Sequence, residues 1–147
     1  MNIYFSTGGY KNNYTKDIVK KLIDLGVSNI ELSGTSYSEN NIEKLEKLLN
    51  LANLQIHNYF PPPKKPFVLN LASMNDDIAK RSMDHVMNTL GACKKLKSNY
   101  YSFHAGFLCD IKVDELGKKV DKKKLQNRDK SLDLFISRVL RIAKKAK

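Results

Sequence analysis

The sequence predicts an α/β protein, a partial (β/α) barrel built from four βα units. Three observations carry this. Segments of period 2 and of period 3.6 alternate four times along the 147 residues. Each predicted strand is apolar on one parity and polar on the other. A doubly wound sheet, covered by helices on both faces, would make its strands almost continuously apolar. Helices must therefore cover one face only, and the polar face looks into an interior with a solvated end, as in a barrel. The length suits a single domain, residues 1–147, with its own core.

The elements follow in order. "NIYFS", Asn2 to Ser6, reads as the first strand and ends at a Gly8-Gly9 turn. "YTKDIVKKLIDLG" places Ile18, Val19, Leu22, Ile23 and Leu25 on one helical face, with Thr15 as N-cap and Gly26 as stop. In "VSNIELSG", Ile30 and Leu32 oppose Asn29, Glu31 and Ser33. "SENNIEKLEKLLNLA" predicts a second helix striped by Ile42, Leu45, Leu48 and Leu49, with Ser38 near its start. In "LQIHNYFPPP", Leu54 and Ile56 oppose Gln55 and His57 before the chain enters three prolines. A long connection leads to a third helix from about Asp76 to Leu96, patterned by Ile78, Met83, Val86, Met87 and Leu90. "NYYSFHAG" is the fourth strand, Tyr101 and Phe103 opposing Ser102 and His104. A basic loop, about Asp110 to Arg128, precedes a last helix holding Leu132, Leu134, Phe135, Ile136, Val139, Leu140 and Ile142.

Composition excludes some functions. With 41% hydrophobic and 28% charged residues the chain is an ordinary globular protein. No apolar run approaches the ~20 residues of a membrane helix, and "MNIYFSTGG" lacks the blocks of a signal peptide, so a cytoplasmic location is expected. Cys93 and Cys109 lack a CxxC spacing and read as reduced thiols, Cys93 as helix packing and Cys109 near the end of the fourth strand. The net charge of +11 raises the question of nucleic acid. Residues 112 to 147 hold 13 Lys plus Arg against 5 acids, a net of +8 that leaves +3 for the rest. Lysine outnumbers arginine 22 to 4, whereas bidentate phosphate and base recognition favours arginine, so a solvated basic surface is the leading reading.

The chemistry-bearing residues gather at strand ends, which in a (β/α) barrel ring the carboxyl-terminal mouth. His57 and His104 end consecutive strands with the same inward parity. With strands about 4.8 Å apart, two such imidazoles can approach one metal ion. Read the other way, they are a pair of buried histidines satisfied by hydrogen bonds. Glu31, inward on the second strand, suits a substrate hydroxyl acceptor or an outer partner of His57; its alternative is a carboxylate neutralised by a lysine. Tyr59 either bonds substrate or packs on the prolines. His85 lies in mid-helix and is assigned no role. The glycines of "STGG" and Gly34 match no phosphate-binding spacing and read as turns.

"IELSG", "IHNYFPPP" and "SFHAG" resemble the first half of the xylose-isomerase-like TIM barrels, which include sugar phosphate isomerases and epimerases and the endonuclease IV group. Those barrels end strand three with His-Ala-Pro-Tyr-like motifs and strand four with His-Pro-Gly or His-Ala-Gly. His57 in "HNYF" and His104 in "HAG" match these positions. The resemblance implies a pocket for a sugar or sugar phosphate, with a divalent metal (zinc, manganese or magnesium) bound by His57 and His104 and substrate contacts from Glu31 and Tyr59.

The departure is one of length. A TIM barrel typically takes ~250 residues and eight strands. The second half, which in the family supplies the strand-five glutamate and further ligands, has no counterpart here. Two histidines do not satisfy a zinc ion, whose catalytic sites use three protein ligands. The expectation is an amino-terminal half, inactive alone: a truncated product, a split-gene piece that needs a second half-barrel chain, or a homo-oligomer that closes on itself. The alternatives are an endonuclease IV-like nuclease fragment, whose basic loop from Lys112 to Lys130 would track DNA, and a non-catalytic half-barrel that binds a partner chain.

Overall fold

Ile30, Leu32, Leu54 and Ile56 alternate with polar residues in two neighbouring strands, and burying that one parity fixes the sheet. The structure, a computed structural model, describes residues 3–10 and 13–146. Four strands, β1 (Phe5–Ser6), β2 (Asn29–Leu32), β3 (Asn53–His57) and β4 (Tyr101–Ser102), pair in parallel in the order β1-β2-β3-β4. Consecutive order without reversal is what a (β/α) barrel requires; a doubly wound sheet reverses at its switch point. The fold is thus a partial barrel of four βα units, as the alternation predicts. Asn2, placed in the first strand by its sequence, lies outside the described residues.

The chain divides into two compact units. The first comprises residues 1–64 and 89–103, and the second residues 65–88 and 104–147.

The first unit holds the sheet. Helix α1 (Thr15–Asp24) buries Ile18, Val19 and Leu22 against Ile30, Leu32, Leu54 and Ile56, joined by Leu45, Phe60, Ala92 and Leu96. Each of these side chains larger than alanine contributes roughly 1.5–3 kcal/mol on leaving water. Thr15 is the first helical residue, not the cap, a position taken by Tyr14 without a side-chain bond. Its buried hydroxyl is instead engaged by Thr35 and by Asn41 Nδ2 (3.2 Å). Gly26 stops the helix at φ +80°, where only glycine is at ease. Helix α2 (Asn41–Glu46) is shorter than its stripe predicts. Beyond it the backbone tightens into three-residue turns, Leu48 N to Leu45 O (2.9 Å) and Leu51 N to Leu48 O (2.9 Å). β4 is also shorter than predicted. It pairs with β3 through Ile56↔Tyr101 and His57↔Ser102, after which β3 ends and Asn58 turns away at φ 38°. His104 therefore lies outside the strand it was expected to end.

Helix α3 (Asp76–Lys95) starts where predicted and ends one residue short of Leu96. Its residues 76–88 belong to the second unit. There Leu69, Leu71, Ala72, Ala79, Met83, Val86 and Cys109 are buried, and the Phe67 ring carries the Arg81 guanidinium over it (4.4 Å) and stands near-perpendicular to His85 (centroids 6.0 Å apart). Asn70, 1% exposed, ties this unit together. Its Nδ2 donates to Phe107 O (3.1 Å), Cys109 O (3.3 Å) and Asp110 Oδ1 (2.8 Å), and its Oδ1 accepts from Ala72 N and Phe107 N. Helix α4 (Arg128–Ala146) buries Ser131 and Ile142 and is anchored by Arg138 Nη1 on Leu71 O and Ser73 O, each at 2.7 Å. Of the apolar residues expected in this helix, Leu132, Ile136 and Leu140 are 47%, 47% and 65% exposed.

Candidate functional site

Helices cover one side of the sheet, so the opposite parity of β2 and β3 keeps contact with solvent: Asn29, Glu31, Gln55 and His57 are half-exposed while Ile30, Leu32, Leu54 and Ile56 are buried. Register orders this polar face. Asn29 stands beside Asn53, whose Nδ2 donates to Asn29 Oδ1 (3.0 Å), at the amino ends of the strands. Ser6, Glu31 and Gln55 form the next row. At the carboxyl ends His57 stands beside Ser102, and His57 Nδ1 shares a 2.8 Å hydrogen bond with Ser102 Oγ. With a rise of ~3.3 Å per residue and ~4.8 Å between strands, the Glu31 and His57 backbones stand on the order of 8 Å apart.

These residues supply a carboxylate acceptor, an amide that both donates and accepts, and an imidazole whose Nδ1 is already engaged. Such a set can hydrogen-bond a polyhydroxylated molecule laid along the sheet. Among the described residues Glu31 forms no salt bridge, so the lysine partner considered for it is not found there. Tyr59 is half-buried and its side chain packs beside Gly34, just past β2. His104 is exposed and belongs to the second unit. Ser102 is the residue that sequence reading leaves without a role; its shared parity with His57 is visible there, its pairing is not.

Among the described residues no group of three or more His, Cys, Asp or Glu side chains could hold a metal ion. The side chains present do not by themselves fit the three-ligand requirement of a catalytic zinc ion.

In the second unit an open cleft of about 620 Å³ is lined by Met74, Asn75, Asp110, Lys112, Glu115, Lys124 and Gln126. Both of its carboxylates and its Lys124 are engaged. Asp110 accepts from Ser73 Oγ (2.8 Å), Asn70 Nδ2 (2.8 Å) and Gln126 Nε2 (2.9 Å). The Lys124 ammonium at 2.7 Å, with the Lys112 amide, holds the Glu115 carboxyl below its usual range. Lys124, within the basic loop considered for DNA, is thus engaged with a carboxylate.

No protein-family model matches the chain, and no curated protein matches it in sequence. Solved structures do match in fold. D-psicose 3-epimerase from Clostridium cellulolyticum H10, crystallised with D-tagatose, superposes with a TM-score of 0.68 at 17% identity, over 99% of this chain and 48% of that one. The TTHB071 protein from Thermus thermophilus, from a crystal soaked in zinc chloride, gives 0.57 at 16% identity, over 99% and 53%. The chain spans about half the length of these proteins, and what it shares with them is the fold.

Proposed function

The chain folds as four consecutive units of a TIM barrel, and on that premise we propose that it supplies the first half of a sugar or sugar phosphate isomerase or epimerase. The polar face of the sheet is then one wall of the carbohydrate pocket. Glu31 accepts hydrogen bonds from substrate hydroxyls, Gln55 bridges neighbouring hydroxyls, and Tyr59 closes the pocket beyond β2. His57, held by Ser102, stands at the mouth. His104 carries the expectation of a metal ligand from its "HAG" motif alone. The divalent ion needs further ligands from outside these 147 residues, and so does the proton-transferring carboxylate, so turnover by this chain alone is expected to be absent.

The observation that carries this reading is the in-register row of Ser6, Glu31 and Gln55 running up to the His57–Ser102 pair, on the parity opposite the buried Ile30, Leu32, Leu54 and Ile56. Without the opposite wall, sugar binding should be weak, on the order of millimolar. Titration of the chain with a ketohexose, followed by backbone and side-chain NMR, should move the resonances of Glu31, Gln55 and His57 and leave those of α4 in place. Glu31→Gln should weaken that response. A polar face indifferent to sugar, together with nicking of abasic DNA that fades with added salt, would replace this reading by the nuclease alternative.

A further inference from the structure

The two free edges of the sheet point to a partner, on grounds that do not depend on the carbohydrate reading. β1 and β4 are the ends of the order β1-β2-β3-β4, and both lie in the first unit. Free edges are ordinarily guarded by lysine, by proline or by a covering element. Neither edge is guarded by its sequence. "IYFS" at β1 and "SNYYSF" at β4 hold no charged residue and no proline, in a chain that is 28% charged. Apolar side chains stand exposed there instead. Phe5 is in register with Ile30 and shares its parity, yet Phe5 is 55% exposed where Ile30 is fully buried. Ile3, on the same parity, is 67% exposed, and so is Tyr100 just before β4.

We propose that two copies close on each other edge to edge about a two-fold axis, the β4 of each copy pairing in parallel with the β1 of the other. Four units are half of the eight in a closed (β/α) barrel, so a second copy supplies the number of strands still needed. The strand direction also agrees. All four strands run the same way, and a half-turn about the barrel axis preserves that direction. The contact is reciprocal, as a two-fold demands, because the β4-to-β1 junction occurs twice. A like-with-like junction of β1 on β1 would instead run antiparallel and leave both β4 edges bare.

Closure sets a second Glu31, Gln55 and His57 opposite the first and adds no residue type that this wall lacks. The charge of +11 on each copy opposes association at long range, which salt screens, and no charge lies in the edges themselves.

The test is the mass of the purified full chain, followed by light scattering and sedimentation across the micromolar range. The expected result is a species of twice 16.8 kDa, favoured by added salt. Phe5→Lys guards the β1 edge and Tyr100→Lys the β4 edge, each at an exposed site. Either change alone should weaken the dimer about tenfold and leave the circular dichroism spectrum unchanged. An equal mixture of the two variants should regain a dimer, because the β4 of the first still meets the unaltered β1 of the second. A monomer at every concentration assigns the edges to some other chain and overturns the proposal. So does growth beyond two copies, a dimer that survives either substitution, or a mixture that stays monomeric. A dimer whose polar wall ignores sugar overturns the carbohydrate reading alone.

Discussion

The side-chain oxygen of Asn70 fills the space that any Cβ at position 106 would need. A methyl group built on Gly106 lies 2.5 Å from Asn70 Oδ1 and 3.0 Å from the Ala72 amide, and Gly106 itself sits at φ +126°. The glycine of "HAG" is therefore required by close packing and by backbone conformation together. Gly106→Ala should cost roughly 3 kcal/mol or more. A shift in the urea midpoint at constant m-value checks it.

Asn70 answers for the other side of that contact. Replacing it with Ala strips partners from the Ala72 and Phe107 amides and from the Phe107 and Cys109 carbonyls, and removes a donor from Asp110. The loss should be about 2–4 kcal/mol. Hydrogen exchange should report early opening at Phe107, and Ser73→Ala, which removes one donor to Asp110, should cost less.

Tyr101 sets an alkaline limit. Burial pushes its phenol well above the ordinary value, and its hydroxyl donates to Asn58 O (3.2 Å). The folded pKa thus exceeds the unfolded one near 10. The stabilisation from this group is complete below about pH 10 and is lost as pH rises towards and through the folded value. Wild type should lose more stability than Tyr101→Phe between about pH 9 and 11. At neutral pH the variant should cost about 1 kcal/mol for the lost hydrogen bond. Parallel stability curves for the two proteins would contradict this.

Ser102 positions an imidazole without supporting the core. Because it is exposed, Ser102→Ala should change stability by less than about 1 kcal/mol. The ¹⁵N shifts of the His57 ring should nevertheless move, since Nδ1 loses its 2.8 Å partner. Ser102→Thr should retain the native shifts.

How much of this is legible in the sequence depends on whether the signal is local. The alternation of Ile30 and Leu32 with Asn29 and Glu31 tells which face of β2 is buried, and the same holds for Leu54 and Ile56 in β3. The start of α3 at Asp76 follows from its periodicity. The end of β4 does not, because Ser102 and His104 share one parity and only the length of β3 decides between them. Thr15 reads as a cap, yet its hydroxyl answers to Asn41 and Thr35, distant in sequence. Asn70 sits in what reads as a connecting segment, and its partners are up to 40 residues away. The stripe of α4 is visible as apolar; that it is uncovered is not, since periodicity marks a face and says nothing of what meets it.

The interleaving of the two units bears on how the chain is born. Residues 89–103 complete the first unit, yet they are translated only after 65–88 of the second. A nascent chain that has released Lys64 holds β3 without β4, its edge amides at Ile56 and Asn58 lacking the carbonyls of Tyr100 and Ser102. Until Ser102 clears the ribosome, that edge is a template for any passing strand. Chaperone engagement during synthesis, or a slow stretch of translation timed to this interval, would act on this intermediate. A gene cut anywhere between the codons for Lys64 and Thr89 would make the exposure permanent.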